Sequence, residues 1–304
     1  MKYPEIYYKE PVYRPPSEAR SLLIQATEGC AYSCSFCIGN EGKKFLIRSI
    51  EDINRDIYNA KLIYGDAVRK MFLLDGNAFV IKPDMLIEIA KYSYKTHPNL
   101  SRIGTYAHAG DILSKTDEEM RKISEAGIKI AYLGIETGDD QLLKEINKRT
   151  TADELAEAAQ KLHRAGITMS GTIILGLTGS DKEAGRRHAV ATAKLINRMK
   201  PENKAPWYIS ALTLMLPPGT RLSDKVRRKE FKPMANLDIL QELRIIFENL
   251  DNNLDNCIFR SNHSSNYLPL ESNNLARNKN QLIEMIDHAL KNPETLRREF
   301  LRGL

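Results

Sequence analysis

Three cysteines in one short run carry the most specific chemical signal in this chain of 304 residues. Cys30, Cys34 and Cys37 have the spacing C-x3-C-x2-C. Three thiolates on one loop can hold three irons of a cubic iron–sulfur cluster. The fourth iron then has no cysteine ligand and can bind and activate another molecule, whereas a cluster with four cysteines usually only transfers electrons.

The alternative for this run is a structural zinc loop. Zinc sites prefer a pair of cysteines combined with a second pair of Cys or His residues. The only other cysteine in the sequence is Cys257, far downstream, so no second pair is present. For Cys257 itself, a packed thiol is favoured over a hydrogen-atom donor or an auxiliary ligand, because nothing nearby in the sequence completes a metal site.

The elements that must position the cysteines alternate between strands and helices. Two capping boxes, Thr116–Glu119 and Thr151–Glu154, each begin a helix that ends at Ala-Gly and leads into an apolar strand. This unit recurs after about 39 residues, which suits a βα repeat. Alternating elements predict a parallel sheet with right-handed crossovers. Six strands are predicted, near 21–26, 70–75, 101–106, 129–135, 168–175 and 207–216.

Changes in pattern along the chain predict three parts. Residues 1–20 form a proline-rich arm in which regular helix is disfavoured. Residues 21–222 form the α/β core. Residues 223–304 form a helical extension that caps the core. Further helices are predicted near 181–199, 236–250, 278–291 and 293–302.

Composition and charge narrow the class of protein. The chain is 42% hydrophobic and 28% charged, which is typical of soluble globular domains. It has no apolar stretch of the roughly 20 residues that a bilayer span requires, and its N-terminus lacks the apolar segment of a secretory signal. Clustered cysteines fit a reducing compartment. We therefore expect a cytoplasmic protein without a membrane partner.

The cysteine run resembles the signature of the radical S-adenosylmethionine (radical SAM) superfamily, C-x3-C-Φ-x-C with an aromatic residue at Φ; here Φ falls on Ser35, and Phe36, directly before the last cysteine, is taken as the aromatic residue. The resemblance implies a partial (β/α)6 TIM-like barrel, which agrees with the count of six strands. It implies an oxygen-sensitive [4Fe-4S] cluster on Cys30, Cys34 and Cys37, with S-adenosyl-L-methionine (SAM) on the open iron. One electron would then cleave SAM to a 5′-deoxyadenosyl radical that abstracts hydrogen from a substrate.

The resemblance also implies cofactor contacts on the loops that follow the strands, where barrel active sites gather. The segment Asp75-Gly76-Asn77 lies where relatives carry a Gly-Gly-Glu-like segment whose backbone contacts the methionine amino group, although Asp75 and Asn77 depart from that pattern. Glu136 matches the acid of a Gly-x-Glu-x-Gly segment, near the ribose hydroxyls or the amino group. Ile174 would form an apolar wall for the adenine, and the backbone at Met215 could pair with its edge.

Four side chains are candidates for catalysis or substrate binding. Tyr106 and His108 lie two residues apart and would share a face if their strand continues; a structural role for His108 is equally compatible with the sequence. Arg260 and His263 lie in a polar run that could close the barrel or be an ordinary surface loop. Cations in 43–48 follow the cysteine run and would face carboxylates of cofactor or substrate.

Within the superfamily, the segments at Glu136 and at 147–151 resemble the branch that contains oxygen-independent coproporphyrinogen oxidases, Elp3-type enzymes and methylthiotransferases. Gly39 stands where the coproporphyrinogen enzymes have a further cysteine, so that decarboxylation is not expected. Methylthiotransferases need three more cysteines for a second cluster and a separate RNA-binding domain, and neither is expected in these 304 residues.

The leading prediction is therefore a radical SAM enzyme that acts on a small or medium-sized, plausibly anionic substrate. Its class as oxidoreductase, lyase or transferase is left open, and its electron donor would be a protein such as flavodoxin or ferredoxin. One alternative is a haem-binding chaperone that retains the cluster, with His108 or His263 on the haem. The other is an RNA- or peptide-modifying radical SAM enzyme, suggested by the net charge of +6; interleaved acidic residues disfavour nucleic acid.

Overall fold

A computed structural model of the protein describes residues 4–39 and 42–303. Residues 1–3 of the predicted arm and residue 304 of the predicted extension lie outside them. The described residues belong to two compact units. The first unit is drawn from Met1–Ser33, Gly39–Leu133 and Lys161–Met169, and the second from Cys34–Ile38, Gly134–Gln160 and Ser170–Leu304.

The regular elements alternate along the chain as the sequence predicts. In the first half they are β1 (Leu22–Gln25), β2 (Thr27–Glu28), β3 (Leu46–Ile47), α1 (Ile50–Tyr64), β4 (Lys70–Leu74), α2 (Pro83–Thr96), β5 (Arg102–Ala107), α3 (Ala109–Leu113), α4 (Asp117–Ala126) and β6 (Ile128–Glu136). In the second half they are α5 (Asp140–Glu145), α6 (Ala152–Arg164), β7 (Thr168–Leu175), α7 (Lys182–Arg198), β8 (Trp207–Thr213), α8 (Arg221–Arg227), α9 (Asn236–Glu248), β9 (Cys257–Arg260), β10 (Glu271–Ser272) and α10 (Leu275–Lys291).

Most of the strand pairing is parallel. In the first unit, β1 pairs with β4, β4 with β5, and β5 with the first part of β6, all in parallel. In the second unit, β7 pairs with β8 and β8 with β9 in parallel, whereas β9 and β10 are antiparallel. Two short strands, β2 and β3, form a separate antiparallel pair. All six predicted strands are present, and the α/β class is confirmed.

The core of the first unit explains why its strands are so apolar. Strands buried on both faces need continuous hydrophobic runs, and four of the five residues of β4 are buried. The ring of Phe72 meets those of Tyr106 and Tyr132 edge-on, with centroids 5.0 and 5.5 Å away. Tyr8 and Val12 of the N-terminal segment pack against this cluster. The proline-rich arm therefore covers one face of the sheet of the first unit.

The helix boundaries follow the signals in the sequence. Thr116 and Glu119 form the predicted reciprocal capping box of α4, and Thr151 with Glu154 does the same for α6. Gly127 ends α4 in the left-handed conformation, with φ of 116°, which glycine adopts at little cost. No helix in the described part of the chain is long and apolar enough to cross a membrane.

Two details differ from the sequence-based expectations. Strand β9 lies in the polar run of Arg260, where no strand was predicted, and its Cys257 and Phe259 are buried. The predicted helix at 293–302 is wrong: the chain forms two short 3₁₀ turns, Pro293–Thr295 and Glu299–Leu301. Arg297, between these turns, donates to backbone carbonyls of the loop that follows β9. This segment therefore bonds to a distant loop and does not form a continuous helix.

A buried histidine and glutamate join α7 to α9 in the second unit. His188 Nε2 lies 3.8 Å from Glu242 Oε2, and both side chains are almost completely buried. The backbone N–H of Gly176 donates to Glu242 Oε2 at 2.7 Å, and His188 Nδ1 lies 2.6 Å from Thr137 Oγ1. Burial raises the pKa of Glu242 to about 8 and lowers the pKa of His188 to about 4. At neutral pH both side chains are therefore uncharged.

This burial predicts a pH dependence of stability. The pKa of Glu242 rises from its ordinary value of 4.5 to about 8 on folding, so its contribution is complete below pH 4.5 and is lost as the pH rises to 8. His188, whose pKa falls from 6.5 to about 4, destabilises only below pH 6.5. Between pH 6.5 and 8 we expect the wild type to lose up to about 1 kcal/mol of unfolding free energy per pH unit relative to Glu242→Gln.

Urea unfolding of both proteins at several pH values measures this difference. Glu284→Gln, which changes an exposed glutamate of α10, is the control and should follow the wild type. A constant difference between wild type and Glu242→Gln from pH 6.5 to 8 would contradict the raised pKa of Glu242.

Candidate functional site

In the first unit, a single buried carboxylate holds the start of the cysteine run. Asp75, directly after β4, accepts a hydrogen bond from the backbone N–H of Gly29 at 3.2 Å. Its Oδ2 lies 2.6 Å from Lys43 Nζ, and the two side chains are only 3% and 0% exposed. The residue that precedes Cys30 is therefore attached to the end of β4, and the carboxylate of Asp75 is neutralised by Lys43.

Gly76 brings the backbone of this strand end against the first cysteine. A Cβ atom at Gly76 would lie 2.7 Å from Cys30 Cβ and 3.3 Å from the carbonyl oxygen of Gly29. Side chains do not tolerate such distances, so only glycine allows the approach. The structure thus brings Asp75 and Gly76 against Cys30, which lies 45 residues before Asp75 in the sequence.

A polar cluster surrounds the tyrosine between the first two cysteines. The ring of Tyr32 stacks on His108 with centroids 3.6 Å apart, and its hydroxyl donates to Asp111 Oδ2 at 2.9 Å. Asn77 Nδ2 donates to the same oxygen, whereas the buried Asn77 Oδ1 has no hydrogen-bond partner among the described residues. Sequence reasoning missed Tyr32 and Asp111, although Tyr32 lies within the cysteine run itself.

Tyr106 and His108 occupy different environments and make different contacts in the structure. Strand β5 ends at Ala107, and His108 is the N-cap of α3, where its Nδ1 accepts from the backbone N–H of Gly110 at 3.1 Å. Tyr106 instead packs edge-on against Phe72 in the sheet core. His108 therefore lies beside the cysteine run, and Tyr106 supports the wall of the first unit.

In the second unit, backbone contacts hold the rest of the cysteine run. The N–H of Ser35 donates to the carbonyl of Ile146 at 2.9 Å, and the carbonyl of Ser35 accepts from the N–H of Leu222 at 2.9 Å. Phe36 packs against an apolar cluster of Leu142, Ile146, Ile174 and Leu177. The predicted cofactor residues Phe36 and Ile174 thus lie in one apolar surface.

A buried ion pair lies at the end of β6. Glu136 Oε1 is 2.7 Å from Lys148 Nζ, and the side chains are 9% and 8% exposed. A Cβ at Gly134 would lie 2.3 Å from Glu136 Oε1 and 2.6 Å from Lys148 Nζ, so the glycine makes room for both charges. Glu136, predicted from the sequence, has φ of 60°. Lys148 was not predicted.

The surroundings of Lys148 are strongly negative. Burial alone lowers the pKa of Lys148, but the carboxylate of Glu136 and the thiolates of Cys34 and Cys37 outweigh it and raise the pKa above its ordinary value. Lys148 is therefore an ammonium ion in the electrostatic field of the last two cysteines of the run.

The remaining candidates lie farther along the second unit. Arg260 donates to the carbonyls of Phe259 and Ser272 and so supports β9 and β10. His263 Nδ1 accepts from the N–H of Ser265, and burial lowers its pKa.

Met215 and Cys257 also make packing contacts. Arg302 Nη2 lies 3.1 Å from Met215 Sδ and 3.3 Å from the carbonyl of Leu214. Cys257 is buried at the start of β9, and burial raises the pKa of its thiol, which indicates a packed thiol.

The chemistry of the donor set fits a cluster better than a single metal ion. Across residues 4–39 and 42–303, no three Cys, His, Asp or Glu side chains stand close enough to hold one ion. A cubic cluster does not need such a group, because each thiolate binds a different iron. The thiols of Cys34 and Cys37, with the ammonium of Lys148 in their field, therefore suit an anionic iron–sulfur group.

Comparisons with known proteins agree with this chemistry. The profile of the radical SAM superfamily matches residues 24–188. A tRNA-2-methylthio-N(6)-dimethylallyladenosine synthase of Ehrlichia canis is 26% identical over 200 residues, which cover 60% of this chain and 42% of that protein. The chain thus spans about two fifths of the length of this curated relative.

Two solved structures share the fold. Methylornithine synthase (PylB) superposes with a TM-score of 0.52 and 18% identity, over 76% of this chain and 63% of that one. Coproporphyrinogen III oxidase (HemN) from Escherichia coli gives a TM-score of 0.54 and 14% identity, over 75% of this chain and 52% of that one. The predicted fold class, a partial TIM-like barrel, is confirmed.

The buried pair of Asp75 and Lys43 predicts a strong coupling. Lys43→Met would leave the carboxylate of Asp75 buried without its cation, at a cost of roughly 3 kcal/mol of unfolding free energy. Asp75→Asn should cost a similar amount, because Lys43 would then be unpaired. The double variant should lose clearly less than the sum, as a double-mutant cycle in urea would measure.

Lys44→Met is the matched control, since Lys44 is exposed and its loss should change stability by less than about 0.5 kcal/mol. Additive losses in the Asp75 and Lys43 variants would show that the two charges do not interact.

Proposed function

The chain belongs to the radical SAM superfamily, and we propose that it is an enzyme of this family whose Cys30, Cys34 and Cys37 hold the [4Fe-4S] cluster. Cluster and SAM are the cofactors of the superfamily. When bound and reduced, the cluster gives one electron to SAM, which yields methionine and a 5′-deoxyadenosyl radical that takes a hydrogen atom from a substrate. The observation that carries the proposal is the run of three thiols anchored at Gly29 and Ser35.

The loop after β4 is the proposed contact for the methionine part of SAM. Gly76 exposes backbone next to Cys30, and Asp75 is already bound to Gly29 and Lys43. The buried Asn77 Oδ1 has no hydrogen-bond partner among the described residues, and an unpaired acceptor is costly unless a ligand donates to it. The ammonium of SAM supplies such a donor. Asn77 thus replaces the acid of relatives by a neutral acceptor.

The second unit offers the proposed contacts for the rest of SAM. Glu136 is paired with Lys148 at the end of β6 and would accept hydrogen bonds from the ribose hydroxyls or the amino group. Phe36 and Ile174 share an apolar cluster that provides a wall for the adenine. Met215, which follows β8, would offer its backbone to the edge of the adenine. These roles rest on the family resemblance and on the burial of the groups.

His108 is the proposed contact to the substrate. Its Nδ1 accepts from Gly110, so the neutral ring carries its proton on Nε2 and can donate or exchange it there. Tyr106 backs this region from the sheet. Arg260 and His263 remain predictions for the substrate pocket, although their hydrogen bonds support the loop in which they lie. We further propose a small electron-transfer protein as reductant and a cytoplasmic location.

A second candidate for the substrate is RNA, because the relative from Ehrlichia canis is a tRNA-modifying synthase by name and the chain has a net charge of +6. Binding through phosphate contacts would make the affinity for a tRNA mixture fall at least tenfold between about 50 and about 200 mM salt. Weak binding of tRNA without this salt dependence would favour a small or medium-sized substrate instead.

Anaerobic reconstitution with iron and sulfide tests the main proposal. The wild type should bind about four irons and, with dithionite and SAM, release 5′-deoxyadenosine and methionine. Cys34→Ala should abolish both the cluster and the release of these products, because one iron loses its thiolate. The matched control Cys257→Ala should keep the cluster, since that thiol is buried elsewhere. A wild type without iron, or equal loss in Cys257→Ala, would overturn the assignment.

A further inference from the structure

We propose that Lys148 is a positioning residue that fixes Glu136 against the cysteine run and, by its charge, makes the cluster easier to reduce. This inference rests on the proposed function, since it concerns the cluster held by Cys30, Cys34 and Cys37. Its test separates the two, because it compares clusters that are fully loaded.

The backbone on either side of Lys148 is held in an uncommon conformation. Asn147 and Arg149 both have φ of 57°, and Glu136 has φ of 60°. Left-handed backbone at residues other than glycine costs energy and persists where surrounding contacts enforce it. Glu136 itself and both neighbours of Lys148 have this conformation. It therefore occurs on both sides of the ion pair, where the side chains of Glu136 and Lys148 meet.

The segment that carries Lys148 also holds the cysteine run. The carbonyl of Ile146 accepts the N–H of Ser35, which lies between Cys34 and Cys37. Phe36 packs against the apolar cluster to which Ile146 belongs. Lys148 follows two residues later, and its ammonium lies in the field of both thiolates. Residues 146–148 therefore carry both a backbone contact to the cysteine run and the cation.

Burial makes the charge effective. The Lys148 side chain is 8% exposed, so water and salt screen it weakly. Reduction adds one negative charge to the cluster, and a fixed cation nearby stabilises the reduced state more than the oxidised state. Removal of the cation should lower the reduction potential. Glu136 acts in the opposite sense, and removal of its charge should raise the potential.

The experiment is a redox titration of the reconstituted protein, with dithionite as the one-electron donor and the electron paramagnetic resonance signal of the reduced cluster as readout. At the midpoint of the wild type, Lys148→Met should show a reduced-to-oxidised ratio about tenfold lower, which is 59 mV for one electron. Glu136→Gln should show a higher ratio. Lys148→Arg keeps the charge and should stay near the wild type.

Lys144→Met is the matched control: it removes a lysine charge from the exposed side of α5 and should leave the midpoint unchanged. A fully loaded Lys148→Met with the wild-type midpoint would overturn the inference. If Lys148→Met does not load, Glu136→Gln decides: a raised midpoint supports the role, and an unchanged one refutes it. A wild type that binds no cluster would instead remove the proposed function.

Discussion

The arrangement of this protein depends on one constraint. The cysteine loop must be held by groups other than its thiols, because the thiols are the proposed ligands of iron. The anchors lie between and before the cysteines: the N–H of Gly29 on Asp75, the two backbone bonds of Ser35, and the ring of Phe36. Hydrogen bonds of this kind are modest one by one, but they fix the backbone and leave the choice of thiol direction to the bound group. The rigid part of the site is therefore the main chain.

Two buried carboxylates near the cysteine run are each paired with a lysine. Asp75 can be buried beside Gly29 because Lys43 neutralises it, and Glu136 can be buried at the end of β6 because Lys148 does the same. An unpaired carboxylate at either place would be protonated or would destabilise the fold. Because both cations come from loops, the two strand ends can keep short polar side chains and glycines next to the cysteine run.

Local signals in the sequence were sufficient to predict the six core strands and most of the long helices. Strands buried on both faces, capping boxes and Ala-Gly ends are local signals, and they predict the six core strands with boundaries close to those observed. Strand β9 was missed because Cys257 and Phe259 form a short apolar alternation inside a polar stretch. The last helix was predicted wrongly because its arginines bond to a distant loop, which no local pattern reveals.

The end of β6 shows why Lys148 could not be predicted and what its position means. Lys148 lies 12 residues beyond Glu136. The chain brings its side chain back to Glu136 with left-handed backbone at Asn147 and Arg149, a conformation that the sequence does not predict at residues other than glycine. The next residue, Thr137, contacts His188, whose partner Glu242 is uncharged near neutral pH. Glu242 thus has no ionic partner that keeps its charge, whereas Glu136 forms a buried ion pair with Lys148. The thiolates of Cys34 and Cys37 raise the pKa of Lys148, and they are the groups on which we propose that the charge of this pair acts.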